Sequence, residues 1–289
     1  MSWEGYHQPV LLKEVLEWLP ANLEVGFDGT LGHWGHTKAI LEARSDIKKW
    51  FGVDKDLQIL QKAKHRLKNF EDRIDFVHSS YANLKQILKD QKVDFMLLDL
   101  GVNMEHFRDS QRWFSIKQDG ELDMRFDTSK WKPVWQLIND WKFDQFVDDL
   151  MNYWDFWPKF AKWLAREILD QRKKQPLQTT MEFKQFLKNL WLGEKKIAVI
   201  FQVLRILAND ELGELKKFLT DFVDFLIPNG RVAIISYHSG EDRLVKNIFK
   251  SLEQQWKLKI LTKKVIKPSW QEISHNKAAR SARMRLGER

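Results

Sequence analysis

The chain has 289 residues, of which 43% are apolar and 30% charged, a balance typical of a folded protein and not of a disordered one. No apolar run approaches the roughly 18 residues of a membrane-spanning helix, and the first ten residues lack the basic start and apolar core of a signal peptide. The absence of cysteine excludes disulfides, cysteine–zinc sites and thiol nucleophiles. We therefore expect a cytoplasmic protein that neither spans a membrane nor holds a metal.

The net charge of +8 is concentrated near one end of the sequence. Residues 257–289 hold ten basic and two acidic side chains, so the preceding residues are neutral as a group. Such a basic segment is typical of nucleic-acid binding, although a merely solvated charged end is an alternative interpretation.

Taken in chain order, the patterns alternate between strands and helices up to Asp99. A helix is expected over 9–16, then strands ending at Asp28, Asp54, His78 and Asp99, with helices at 56–67 and 83–88 between them. This alternation predicts a parallel sheet with right-handed crossovers. From about residue 109 to 195 only short amphipathic helices are indicated, at 134–139, 143–152, 158–171 and 180–190.

The alternation then resumes. A long helix is expected from Ile197 to about Leu226, followed by a turn at Pro228–Gly230 and a very apolar strand at 232–235. A helix over 242–254 and strands over 257–266 and 282–286 complete the prediction. The chain is thus an α/β protein with a helical insertion.

Residues 23–40 contain the feature around which the others are arranged. A short strand ends at Asp28, and a turn with Gly29, Gly32 and Gly35 leads into a helix. Glycines before a helix N-terminus are typical of a cofactor cradle, and an ordinary strand–helix turn is the alternative. The spacing differs from the G-x-G-x-x-G of dinucleotide sites. Acids at the ends of three strands favour a cofactor with positive charge and ribose hydroxyls, such as S-adenosylmethionine, over NAD.

Eight motifs, in order along nearly the whole chain, resemble those of the bacterial 16S rRNA cytosine-N4 methyltransferases. The motifs are HQPVLLKEVL (7–16), DGTLGHWGH (28–36), GVDKD (52–56), LLDLGV (97–102), RWFSIKQDGELDMRFD (112–127), FQVLRILANDEL (201–212), SYHSGEDRLVK (236–246) and NKAARSARMR (276–285). The resemblance implies a Rossmann-like class I S-adenosylmethionine methyltransferase sheet with an inserted helical domain. We place the methyltransferase domain at 1–108 and 197–289, and a substrate-recognising insertion at 109–196. The implied partner is 16S rRNA in the small ribosomal subunit.

The resemblance also assigns roles to residues. Trp34, Gly35 and His36 would contact the methionine end of the cofactor, Asp54 the ribose hydroxyls, and Tyr81 the adenine. Asp99 would face the methionine amine or the target base, and His106 stands where the family usually has glutamine. Two further departures are Tyr237 for phenylalanine and Gly240 for leucine.

The chemistry can be argued from the residues themselves. Methylation of C5 of cytosine requires a thiol nucleophile, which this chain lacks, whereas methylation of an exocyclic amine requires alignment and a proton acceptor. Asp99 is the candidate acceptor, and cofactor binding alone explains it equally well. His238 and Glu241 rank second, with capping of the following helix as the favoured interpretation. Three alternative functions remain. The protein is a methyltransferase for another substrate, an RNA-binding protein with an impaired cofactor site, or an NAD oxidoreductase.

Fourteen tryptophans against thirteen glycines is an abnormal ratio, since glycine usually makes up about 7% of residues. Four tryptophans stand at positions where the family has glycine or where the backbone geometry favours glycine. They are Trp18, Trp34, Trp113 and Trp154. We hypothesise that such positions are UGA codons that the source organism reads as glycine. Base-stacking aromatics or a tryptophan-rich core are the alternatives.

Overall fold

The computed structural model describes residues 9–101, 119–126, 128, 131–153 and 157–289. Two compact units are present: the first combines Met1–Gly101 with Gly213–Arg289, and the second is Val102–Leu212. Within the described ranges, no helix is long and apolar enough to cross a membrane.

The first unit contains a seven-stranded sheet in the order β3-β2-β1-β4-β5-β7-β6. Its strands are β1 (Val25–Asp28), β2 (Lys49–Asp54), β3 (Ile74–His78), β4 (Val93–Asp99), β5 (Leu226–Ser236), β6 (Lys259–Ile260) and β7 (Arg283–Glu288). Strands β1 to β5 pair in parallel, and β7 runs antiparallel to both of its neighbours. β1 and β4 are buried almost throughout, as strands covered on both faces of a parallel sheet must be.

Helices connect the strands of this unit. They are α1 (Leu12–Glu17), α2 (Gly35–Ala43), α3 (Leu57–Arg66), α4 (Leu84–Leu88), α10 (Glu211–Phe225, in this unit from Gly213 onward), α11 (Ser239–Gln254) and α12 (Trp270–His275). The carboxyl ends of β1, β2 and β4, which are neighbours in the sheet, carry Asp28, Asp54 and Asp99. Parallel pairing therefore places all three acids along one edge, where α/β sheets bind ligands.

The second unit is helical in its described part and has an apolar core of its own. Its helices are α5 (Val134–Asp140), α6 (Phe143–Tyr153), α7 (Pro158–Lys174), α8 (Thr180–Asn189) and α9 (Glu194–Ala208). A capping box begins α8: Thr179 Oγ1 accepts from the Glu182 N–H, and the Glu182 carboxylate accepts from the Thr179 N–H.

The expected single helix from Ile197 to Leu226 is wrong, because the chain forms two helices, α9 and α10. The break lies at Asn209 and Asp210, the latter with a left-handed φ of 46°. The Asn209 side chain accepts from the Phe126 N–H and donates to the carbonyls of Met124 and Arg205. A long-range contact therefore ends the helix, and the apolar periodicity on either side gives no sign of it.

The carboxyl-terminal segment also differs from the prediction. The turn expected at Pro228–Gly230 lies inside β5, where the register against β4 shifts between Val93 and Phe95. The strand expected over 257–266 shrinks to β6, and α12 was missed although Ser269 and Glu272 have the spacing of a helix start. The basic segment is thus folded: it supplies the last two strands of the sheet and α12.

Candidate active site

Asp28, at the end of β1, holds the cradle turn together. Its Oδ2 accepts from the Thr37 hydroxyl at 2.7 Å and its Oδ1 from the Thr30 N–H at 3.0 Å. The Thr37 hydroxyl in turn accepts from the indole N–H of Trp50 at 2.9 Å. Burial raises the pKa of Asp28 to about 6, against the opposing effect of the Thr37 hydrogen bond. Because Asp28 is buried and both of its oxygens are engaged within the protein, its role is to fix the turn.

Asp54, at the end of β2, links its strand to the glycine loop. Its Oδ2 accepts from the Gly32 N–H at 2.9 Å and its Oδ1 from the Asp56 N–H at 2.8 Å. Burial raises the pKa of Asp54, and these two hydrogen bonds oppose the rise. Asp54 is partly exposed, and its carboxylate retains lone pairs that can accept further hydrogen bonds.

Trp34, Gly35 and His36 form the start of α2. Trp34 is the N-cap residue, with a left-handed backbone (φ 54°) and a buried indole. Gly35 lies against Pro9, where any side chain would collide with the proline ring. The Nε2 atom of His36 lies 2.9 Å from the Val10 carbonyl oxygen, so this ring is fixed by the amino-terminal segment.

Asp99, at the end of β4, is the centre of a polar cluster. Its N–H donates to the Thr30 hydroxyl at 2.7 Å, and its carboxylate lies 3.7 Å from Nδ1 of His36. Burial and the interaction with the nearby Asp99 carboxylate raise the pKa of Tyr237 well above its usual value, so the phenol keeps its proton and can donate to that carboxylate. The Asp99 side chain is 22% exposed and therefore reachable by a ligand.

Tyr81 follows β3, in a short helical turn (Tyr81–Asn83) that begins at Ser80. Its ring meets Phe218 edge-on at 5.8 Å. A Cβ atom on Gly29 would lie 2.7 Å from the Tyr81 Cβ, so the first glycine of the cradle is needed for Tyr81 to approach β1.

His238 and Glu241 form a capping box at the start of α11. The Glu241 carboxylate accepts from the N–H groups of Tyr237 and His238, and the Glu241 N–H donates to the His238 ring. Both side chains are buried. This geometry agrees with the structural role that the sequence favoured for them over proton acceptance.

The remaining predicted residue, His106, lies outside the described residues. Within the described ranges, no group of three His, Asp or Glu side chains has the arrangement of a metal site. Sequence reasoning did not identify Thr37, Trp50 or Glu272 as part of this region. Glu272 of α12 accepts from the Leu11 N–H at 2.7 Å and so ties the carboxyl-terminal helix to the segment that holds His36.

The two partly exposed carboxylates fit a cationic nucleoside cofactor better than a pyrophosphate. Asp54 and Asp99 lie at the ends of strands on either side of β1, next to a glycine turn and an aromatic ring. Such a sheet, with acids at its carboxyl edge, defines a Rossmann-like protein suited to a sulfonium-bearing ligand.

Comparison with known proteins identifies the family to which the chain belongs. Residues 4–289 match the family described as the MraW methylase family, and the chain belongs to that family. A protein of Halothermothrix orenii named ribosomal RNA small subunit methyltransferase H is 35% identical, with 98% of each chain covered. The protein of the same name from a Sulfurihydrogenibium species is 38% identical over 98% of this chain and 99% of its own.

Among solved structures, a putative methyltransferase from Streptococcus mutans in complex with SAH is 12% identical and covers 98% of this chain and 99% of its own, at a TM-score of 0.46. The assignment to the family rests on the match to the MraW methylase family, and not on this structural similarity. The predicted family, Rossmann-like fold class, methyltransferase activity and cofactor, S-adenosylmethionine, are therefore confirmed.

Proposed function

We propose that this protein transfers the methyl group of S-adenosylmethionine to the exocyclic N4 amine of a cytidine in 16S rRNA, in the cytoplasm. The observation that carries the proposal is the near-full-length match to proteins named ribosomal RNA small subunit methyltransferase H. The chemistry agrees, because a chain without cysteine lacks the nucleophile for C5 of cytosine.

The cofactor supplies an electrophilic methyl group when bound. Asp54 would hold its ribose hydroxyls, Tyr81 would lie beside its adenine, and residues 34–36 would contact its methionine end. His106 is proposed for the same site from the sequence alone. Asp99 is proposed to accept a proton from the cytosine amine, whose new N–C bond would replace the methyl–sulfur bond of the cofactor, while His36 and Tyr237 keep the Asp99 carboxylate in place.

The helical insertion and the basic carboxyl-terminal segment are proposed to bind the rRNA. The segment over 257–289 carries the whole net charge, and the chain enters the insertion directly after β4 and Asp99. Electrostatic attraction to phosphates would hold the substrate, and the target base would leave its stack to reach the carboxylate.

The test is methyl transfer to small subunits and to free 16S rRNA from a strain that lacks the corresponding enzyme. We would assay both the chain as printed and Trp34→Gly, with mapping of the modified nucleoside. Formation of N4-methylcytidine supports the proposal, whereas 5-methylcytosine or ribose methylation contradicts it. Rejection of both RNAs by a protein that binds S-adenosylmethionine would point to another substrate.

A further inference from the structure

Four tryptophans have a backbone conformation that glycine favours. Trp34, Trp131, Trp191 and Trp256 have φ values of 54°, 61°, 60° and 57°. Among the described glycines, only Gly32 has a positive φ. The left-handed region brings the Cβ of an L-residue too close to the backbone, so glycine is its usual occupant. Among the described residues, more tryptophans than glycines therefore have a left-handed backbone conformation.

The clearest case is Trp191, which follows α8. Its N–H donates to the Lys188 carbonyl, and the N–H of Leu192 donates to the Leu187 carbonyl. These two bonds define a Schellman motif, in which Trp191 holds the left-handed position after the helix. The side chain is 96% exposed. The indole thus gains no packing that would offset the backbone strain.

Trp256 repeats this arrangement after α11, in the other unit. Its N–H donates to the Glu253 carbonyl, and the N–H of Lys257 donates to the Leu252 carbonyl. Trp256 is 95% exposed. Two unrelated helices therefore end in the same motif, each with a solvated tryptophan at the position where glycine is strongly enriched.

Trp34 and Trp131 lie in loops. Trp34 precedes the first residue of α2 in the cofactor cradle, where an indole, which only donates hydrogen bonds, cannot cap the helix. Trp131 is half-exposed, and its carbonyl accepts from the Arg125 guanidinium at 3.0 Å. At Trp131 the backbone carbonyl makes this contact, whereas the Trp34 indole is buried and lies edge-on to the His33 ring at 5.7 Å.

Two other tryptophans lack the left-handed backbone, and their indoles make specific hydrogen bonds. Trp50 is fully buried in β2 and its indole N–H donates to Thr37. Trp135 lies in α5, and its indole N–H donates to the Glu121 carboxylate at 2.7 Å. Trp18 has a φ of −100°, which any residue adopts, so its backbone gives the sequence-based glycine hypothesis no support. Trp113 and Trp154 lie outside the described residues.

We infer that the native protein carries glycine at positions 34, 131, 191 and 256, encoded by UGA codons that the source organism decodes as glycine. Trp50 and Trp135 are true tryptophans encoded by UGG. The cradle then reads DGTLGHGGH, with a left-handed glycine immediately before α2. A residue without a side chain at position 34 lets a ligand approach the backbone of the turn.

The decisive experiment is to sequence the coding gene and to map peptides of the protein purified from its source organism. We expect UGA at the four positions with glycine in the corresponding peptides, and UGG with tryptophan at 50 and 135. UGG codons at positions 34, 191 and 256, or tryptophan in the peptides that span them, would overturn the inference.

A second test needs only the recombinant chain. Trp191→Gly and Trp256→Gly should each raise the melting temperature by about 2–4 °C, because the strained residue is relieved and no buried contact is lost. Trp50→Gly and Trp135→Gly are the matched controls and should lower it. A fall in melting temperature for both Trp191→Gly and Trp256→Gly would contradict the inference.

Discussion

The Nδ1 atom of His36 lies 3.7 Å from Oδ2 of Asp99, while the opposite ring nitrogen, Nε2, faces the carbonyl oxygen of Val10 at 2.9 Å. A carbonyl oxygen only accepts hydrogen bonds, so Nε2 carries a proton. This relationship joins the amino-terminal segment to the end of β4, where the reaction is proposed to occur.

The first prediction concerns the role of Asp99. If its carboxylate accepts the amine proton, Asp99→Asn should cut turnover roughly 10²-fold or more while keeping most of the affinity for S-adenosylmethionine. Single-turnover kinetics and calorimetry on the same preparation measure the two quantities. A parallel loss of both would instead assign Asp99 to the methionine amine of the cofactor. Asp75→Asn, on strand β3, which β2 and β1 separate from β4, is the control.

The second prediction concerns the Tyr237 phenol, which interacts with the Asp99 carboxylate. Tyr237→Phe keeps the ring that packs against Gly101 and removes only the hydroxyl. Loss of one hydrogen bond to a charged group should lower kcat by roughly tenfold, with cofactor affinity and melting temperature nearly unchanged. An unaltered kcat would show that this hydroxyl does not position the carboxylate for the reaction.

A third prediction follows from the raised pKa of Asp28. Its folded-state pKa, about 6, exceeds the value of 3.8 expected for the unfolded chain. The folded protein therefore retains a proton that the unfolded chain loses, and Asp28 removes stability as the pH rises from about 4 to about 6. Asp28→Asn does not titrate, so its free energy of unfolding relative to wild type should rise by up to roughly 3 kcal/mol over that interval.

Urea unfolding of Asp28→Asn and wild type between pH 4 and pH 8 measures this difference. The exposed Asp90→Asn is the matched control for replacing a carboxylate that is not buried. A flat curve for Asp28→Asn would mean that Asp28 titrates normally in the folded state.

The fourth prediction tests the ribose contact of Asp54. Asp54→Ala should weaken the binding free energy of S-adenosylmethionine by roughly 1.5–3 kcal/mol, because hydrogen bonds to a charged group usually contribute that much. The same change releases the Gly32 N–H, so the loop contributes to the loss. Calorimetry measures it, with Asp75→Ala, which lies on the adjacent strand and pairs with Lys49, as the control. Equal affinity in the two variants would remove Asp54 from the cofactor site.

The fifth prediction separates arginines that bind RNA from arginines that hold the fold. Arg285 forms a bidentate ion pair with Asp242 at 2.7 and 3.0 Å, whereas Arg280 is exposed. Arg280→Gln should lower the salt dependence of RNA affinity by about one charge, and Arg285→Gln should lower stability and leave that slope unchanged. An equal change in slope for both would mean that the Asp242 pair opens when RNA binds.

Much of the sheet could be predicted because its signals are local. Each parallel strand from β1 to β4 is a short apolar run that ends in a polar residue, and turn or cap residues follow it. The position of Asp28, Asp54 and Asp99 at one edge then follows from parallel pairing alone. The resemblance added Tyr81, which no periodicity identifies.

The rest depends on contacts between residues distant in sequence. The residues around Asp28 do not show that both of its carboxylate oxygens accept hydrogen bonds, from Thr30 and Thr37. The sequence therefore could not distinguish the buried Asp28 from the partly exposed Asp99. The break at Asn209 depends on Met124 and Phe126. Similarly, Arg285 of β7 belongs to the basic segment by sequence, but it pairs with Asp242 of α11, 43 residues away.

The position of β7 between β5 and β6 has a consequence for synthesis on the ribosome. Residues 231–236 of β5 pair with residues 283–288, so one side of this apolar strand stays without a partner until about fifty more residues have been added. During that time the nascent chain exposes a sheet edge of the kind that promotes association between molecules. We therefore expect chaperones to bind once β5 has emerged from the ribosome, and to be released when Arg283–Glu288 emerges and pairs with it.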